Sequence, residues 1–577
     1  MPHDLVITGG TVVDGTGGAI VRADVAVDGD RITAVGPPAA VGEGRRRIDA
    51  EGAVVTPGFV DVHTHYDGQA TWDGSITPSA WHGVTTVVMG NCGVGFAPVR
   101  QSDHNVLVEL MEGVEDIPGT ALHEGLEWDW ETFPEYLDAL ERRPRDLDVA
   151  AQLPHGALRL YVMGERGAAR EPATDDEVTE MARLAGEAVD AGALGFTTSR
   201  TRNHRTSRGD WTPTLTAAAG ELAGIAQGLG AVGKGVLQVV SDFTEPEEEV
   251  GTVLGMAEAS GRPLSISLSQ TSTRPEGWRS LLDAISAACD RGLAVSAQVA
   301  ARPVGILLGL DATINPLGAS PTARSVGADL PTLRRSEVRA TILAEMAERS
   351  PLFAWDHVFR LGDPPDYEPP PHASIAAEAS RCGVPPEELV YDAALADDGR
   401  GLLYVPFLNY ADGDLEAVRA MLTHPHAVLG LADGGAHVGT ICDGSFPTTM
   451  LTHWVRDRSR GERLPLAHVV AMQTSRTARL VGLLDRGVIA RGMRADLNVI
   501  DMDGLRLRRP TIVHDLPAGG RRFVQRADGY LHTIVAGEET YADGEATGAR
   551  PGRLARGSQP GPNGSHRSAS GSQGSGR

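Results

Sequence analysis

Apolar and polar positions follow two different rhythms along this chain. In the first fifty-odd residues, β-branched residues alternate with polar ones and are cut by Gly and Asp-Gly turns. This is seen in "DLVITGGTVVDG", "ADVAVDGDRITAVG" and "RRIDAEGAVVTPG". A period of two broken by such turns predicts short hairpin strands. The same rhythm returns near the other end, in "RADLNVIDMDG" and "YLHTIVAGEETYADGE". Two β-rich segments that flank everything else predict one small sheet domain, a β-sandwich built from residues 1–56 plus 485–550.

Between them, short apolar runs alternate with longer helical stretches. The predicted strands are "GFVDVHTH", "GVTTVVMGNC", "DLDVAAQLPHG", "GALGFTTSR", "GVLQVVSD", "PLSISLSQ", "LAVSAQVA" and "HAVLGLADGG". Helical spacing is clear in "DDEVTEMARLAGEAVDAG" and "EEEVGTVLGMAEASG". Eight strands alternating with helices predict an α/β fold, a (β/α)8 TIM-like barrel over residues 57–484. The connection between the seventh and eighth strands is too long for one helix. It is expected to form an insertion around 302–425 over the barrel mouth. The final segment, 551–577, is rich in Gly, Ser and Pro and is expected to be a disordered tail.

Composition narrows the class of partner. The chain has 577 residues, and 76 Asp and Glu against 52 Lys and Arg give a formal charge of −24. Nucleic acids and anionic membranes select basic surfaces, so neither is expected as a partner. The four cysteines (Cys92, Cys289, Cys382, Cys442) show no paired spacing. No signal peptide and no apolar run long enough to span a bilayer are visible. A cytoplasmic protein acting on a small molecule is the expectation. Homo-oligomers are common for such barrels, although no periodic stripe argues for one.

Candidate chemistry gathers at the strand ends. Alternate residues of a strand share a face, so His63 and His65 in "VTPGFVDVHTHYDG" point the same way. At the C-terminal end of a barrel strand they would face the mouth, where two imidazoles suit a divalent ion such as zinc. His-X-His alone is weak; its place after Pro-Gly and an apolar strand makes it specific. Cys92, in "MGNCGVG", ends the next strand. A lone cysteine is ordinarily a small buried hydrophobe, but a thiolate here would reach the same ion. Asp433, in "VLGLADGGAH", closes the eighth strand, where a carboxylate can serve both metal and water. The bland alternative is a helix N-cap.

At these motifs the chain resembles the amidohydrolase superfamily, and more narrowly the N-acyl-D-amino-acid deacylases. "MGERGAAR", "AGALGFTTSR" and "DRGVIARGMRADLNVID" add to the likeness, which covers nearly all of residues 1–550. The resemblance implies a metal-dependent barrel that cleaves the amide C–N bond of a small N-acylated substrate such as an N-acyl-D-amino acid. It implies His63, His65 and Cys92 as metal ligands and Asp433 as ligand and general base. The cysteine takes the bridging place that a carboxylated lysine fills in many relatives.

The likeness breaks at strands five and six, where those deacylases carry histidine ligands. Here the runs are "LQVVSDF" and "SISLSQTST", so Gln238, Ser241, Asp242, Ser269 and Gln270 stand in that neighbourhood. One ion on His63, His65, Cys92 and Asp433 is therefore favoured over two. Asp242, His155 or His204 as a substitute ligand is a second option. A divergent barrel with a different mononuclear-metal reaction, or a non-catalytic ligand-binding homologue, is a third. For substrate contacts, Arg200, Arg302, His155, His204 and His437 lie at or just after strand ends. Arg302 stands where the resemblance places an aromatic substrate loop. Each is equally compatible with an internal hydrogen bond or ion pair, and so is Arg159.

Overall fold

The computed structural model describes residues 1–562. The two β-rich ends do meet, in a single nine-stranded sheet. Five of its strands come from the N-terminal segment: His3–Val12, Val21–Asp28, Arg31–Gly36, Gly44–Asp49 and Val54–Pro57. Leu497–Ile500 pairs antiparallel with Val54–Pro57 on one side and with Tyr530–Val535 on the other, which joins the ends of the chain. Period-two alternation gives the sheet its own apolar core, with Leu5, Val25, Ile32, Val55 and Val499 buried. One hairpin, Thr511–Leu516 with Gly520–Val524, leaves this sheet and reaches the barrel. There Phe523 N donates to Val438 O at 2.6 Å.

The middle of the chain is the (β/α)8 barrel. Its strands in order are Phe59–Asp61, Val84–Met89, Asp148–Ala151 continuing into Leu153–Pro154, Gly195–Arg200, Val236–Ser241, Leu264–Leu268, Val295–Val299 and Ala427–Leu429. Neighbours are parallel throughout. A parallel bridge from Thr64 to Gly434 closes the eighth strand onto the first. Near-continuous burial of these strands is what a parallel sheet covered on both faces requires. Between the seventh and eighth strands, an antiparallel three-stranded sheet (Gly305–Leu308, Leu403–Pro406, Phe359–Arg360) and several helices form a subdomain with a separate core around Leu317, Ile342 and Tyr391.

The tail differs from its expectation. Residues 551–562 hold fixed places: Val149 N donates to Arg553 O at 3.0 Å, and Ala555 N to Val149 O at 2.8 Å. Leu554 and Ala555 are buried against the base of the barrel. Two small apolar residues and free edge groups beside the third strand outweigh a Gly/Ser/Pro-rich composition. The remainder of the expected disordered tail, 563–577, lies outside the described residues.

Candidate metal centre

The first strand delivers His63 and His65 to the mouth, and their outer nitrogens are tied down. His63 Nδ1 donates to Gln298 Oε1 at 2.7 Å, and Gln298 in turn donates to Ser265 Oγ at 2.7 Å. That bond leaves the Nε2 lone pair of His63 facing inward. His65 Nδ1 lies 3.0 Å from Glu115 Oε1, but off the line of a hydrogen bond, so neither atom has a partner by geometry.

Cys92 sits in a Gly-Asn-Cys-Gly turn with φ of 54°. The turn is pinned from three sides. Asn91 Nδ2 donates to Val88 O at 2.9 Å, Gly93 N to Thr197 Oγ1 at 3.0 Å, and Cys92 N to Gln238 Oε1 at 3.4 Å. Gly90 has φ of 81°, and a Cβ there would meet Gln152 O at 2.2 Å, so only glycine permits the turn. Asp433 also has positive φ, 48°. Its N donates to His63 O at 3.1 Å, and His65 N donates to Gly434 O at 2.8 Å. Positive φ in non-glycine residues marks strain that the surroundings must hold, and here it falls on two of the four convergent residues. No helix begins after Asp433, so the N-cap alternative does not apply.

Four atoms converge as a result. His63 Nε2 is 3.3 Å from Cys92 Sγ and 3.3 Å from Asp433 Oδ1, and His65 Nε2 is 3.6 Å from the same oxygen. His63, His65 and Cys92 are all buried, with ligand atoms within 4.8 Å of one another. Ligands on a zinc tetrahedron at about 2.0–2.3 Å from the metal stand roughly 3.3–3.7 Å apart, and the His63–Cys92, His63–Asp433 and His65–Asp433 separations fall in that range. Two imidazoles, a sulfur and a carboxylate are also the donors that zinc selects.

Electrostatics point the same way. Burial pushes the Cys92 thiol well up, and Asp433 and Glu115 add to the push. Burial likewise raises Glu115 well above the usual carboxylate range. His65 is pulled down to about 4 by burial, against a contact with Asp433 that favours its charged form. Burial alone would raise Asp433, but His65 and His63 hold it well below the ordinary value. A buried thiol, the buried Glu115 and the half-buried Asp433, with no guanidinium or ammonium partner among the described residues, are what a divalent cation would compensate.

Of the further sequence-predicted residues, His204 and His437 line the same cavity as His63, Cys92 and Asp433. Burial keeps His204 neutral, at about 3, with His437 as the next cause. The other three are placed elsewhere. His155 is engaged by Glu221 at 3.0 Å and Thr198 at 2.8 Å, and Arg159 shares that Glu221 at 2.8 Å. Arg200 forms an ion pair with Glu249. Arg302 is buried, 3.0 Å from Asp443, and lies over the ring of Tyr367. Each of these buried or half-buried groups has found an acid inside the protein rather than in the mouth. Asp242 lines the cavity and accepts hydrogen bonds from Thr201 Oγ1 and Arg202 N.

A family model described as the amidohydrolase family matches residues 46–354 and 373–541. The chain belongs to the amidohydrolase family. This amidohydrolase is 30% identical over 562 residues to an N-acyl-D-glutamate deacylase of Alcaligenes xylosoxydans xylosoxydans, covering 96% of each chain. It is 38% identical over 197 residues to a D-aminoacylase of the same organism, a match that spans 34% of this chain and 38% of that one. Among solved structures, an N-acyl-D-glutamate deacylase from Bordetella bronchiseptica superposes with a TM-score of 0.64 at 25% identity, covering 96% of this chain and 100% of that one. That structure is complexed with zinc and a phosphonate inhibitor that mimics the tetrahedral intermediate. The family acts on C–N bonds other than peptide bonds, and this chain is a hydrolase of that kind.

Two supporting residues escaped the sequence. Glu115 occupies a core position in the apolar stripe of the helix His104–Glu115, with Val108 and Met111 on the same face. Gln298 interrupts the apolar seventh strand. A polar residue at a position the periodicity assigns to the core was the available signal.

Proposed function

We propose that this chain hydrolyses the amide bond of N-acyl-D-amino acids with one divalent ion, zinc by preference, held by His63, His65, Cys92 and Asp433. The convergence of His63, His65 and Cys92, with Asp433 against both imidazoles, carries the reading. The deacylase relatives support the substrate class. A second ion would need more ligands. Among the described residues no histidine stands at the ends of the fifth and sixth strands, where Ser241, Asp242, Ser267 and Ser269 line the cavity instead.

When bound, such an ion supplies Lewis acidity to the carbonyl and makes water more acidic. The chain's own groups do the rest. Asp433, kept ionised by its two histidines, takes a proton from the attacking water and returns it to the leaving nitrogen. Gln298 fixes His63 in orientation through its hydrogen bond, and Glu115 lies against His65 Nδ1. Neutral His204 and His437 face the reacting carbonyl as hydrogen-bonding groups. Turnover of paired N-acyl-D- and N-acyl-L-amino acids, with acetyl and longer acyl groups, by the zinc-loaded protein tests the reading. Hydrolysis of the D series alone is expected, and no hydrolysis of either series would reject it.

A further inference from the structure

The cavity above the four donors is larger and more apolar than an acetyl group needs. It has a volume of about 480 Å³ and continues from His63, Cys92 and Asp433 past the ends of the fifth and sixth strands. Beyond Ser241 and Ser267 its walls are Val240 and Leu268. It then reaches Val250 on the helix Pro246–Ser260, and Trp278, Leu281 and Ala284 on the helix Gly277–Asp290. Trp278 to Ala284 alone spans roughly 9 Å of helix axis. Among the described residues Arg274 is the one Lys or Arg that lines the cavity; it is exposed, and its guanidinium donates to Phe243 O.

An N-acylated amino acid offers two groups that could enter this arm. The amino-acid side chain would bring its α-carboxylate into an arm lined by Val240 and Leu268 and by the acids Asp242 and Glu247, where the exposed Arg274 already donates to Phe243 O, and that placement is costly. An acyl chain carries nothing polar beyond the carbonyl held at the reacting end. We propose that the arm seats a long aliphatic acyl chain, so that the preferred substrates are medium- to long-chain N-acyl amino acids rather than N-acetyl ones. This rests on the deacylase reading for its chemistry. The recognition of an alkyl chain rests on the cavity alone.

Two measurements separate the two claims. The first is kcat/KM for N-acyl amino acids from acetyl to dodecanoyl with the amino acid held fixed. It is expected to rise roughly fourfold per methylene until the arm is full, the worth of burying each CH2. A flat or falling series, with acetyl hydrolysed, would leave the deacylase reading standing and overturn the arm. The second is binding of the free alkanoates, butanoate to dodecanoate, to the metal-loaded protein by calorimetry, which needs no turnover. Affinity that climbs with length in the wild type, and stops climbing at shorter chains in both Ala284→Phe and Val250→Phe, supports the arm even if no amide is cleaved. Affinity independent of length, or unchanged in length dependence by both variants, overturns it. Two variants from two helices guard against one of them failing to fold.

Discussion

Buried charge collects at both ends of the barrel, and the two collections are built differently. At the base, Asp148 of the third strand receives Arg486 at 2.8 Å and Arg494 at 3.0 Å. Asp485 and Asp496 flank the same guanidiniums, and all five residues are buried. At the mouth, Glu115, Asp433 and Cys92 share their space with His63 and His65, and among the described residues no Lys or Arg pairs with either acid. The base holds the sheet domain to the barrel with acids and guanidiniums that pair within the chain. The mouth is complete only with a cation supplied from outside. Barrel folds divide their labour this way, with stability at the N-terminal face of the strands and chemistry at the C-terminal face.

Substitutions at the two ends should therefore fail in different currencies. Asp433→Asn is expected to lower kcat/KM by about 10²–10⁴-fold while the thermal midpoint stays near that of the wild type. A calorimetric scan beside the kinetics checks both halves. Asp148→Ala should do the reverse. It leaves two buried guanidiniums without their central acid and should cost about 3–5 kcal/mol of stability, read from urea unfolding, with turnover per folded molecule retained. If Asp433→Asn destabilised as much as Asp148→Ala, the contrast between the ends would be lost. Glu115→Gln should sharpen it, weakening metal affinity about 10–100-fold in a chelator competition with little change in fold. The smallest effect is expected from ending the chain at Arg550. Loss of the buried Leu554 and Ala555 and of their pairing with the third strand should cost about 2 kcal/mol by the same urea titration, with metal content unchanged.

What could be read from the sequence follows the range over which each signal acts. The eight barrel strands and the sheet formed from both termini were visible because alternation and apolar runs are local and repeated. His63, His65, Cys92 and Asp433 were visible because each sits at the end of a strand, a place that topology alone turns toward the mouth. Arg200, Arg302 and His155 satisfy the same positional rule. Their partners, Glu249, Asp443 and Glu221, lie 49, 141 and 66 positions further along the chain, and no local pattern announces such pairs. Glu115 and Gln298 were missed for the complementary reason: their role depends on which imidazole they touch. The order in residues 551–562 was hidden because composition weighs a segment alone, whereas its two buried residues and strand pairing depend on what lies beside it.

Metal content is the most direct test of the proposal that one ion completes the mouth. Elemental analysis of the purified protein, beside His63→Ala and Cys92→Ser, is expected to find about one zinc or similar divalent ion per chain, lost in both variants. Two ions per chain would contradict the mononuclear centre. No bound metal after reconstitution with divalent ions would contradict the metal centre itself.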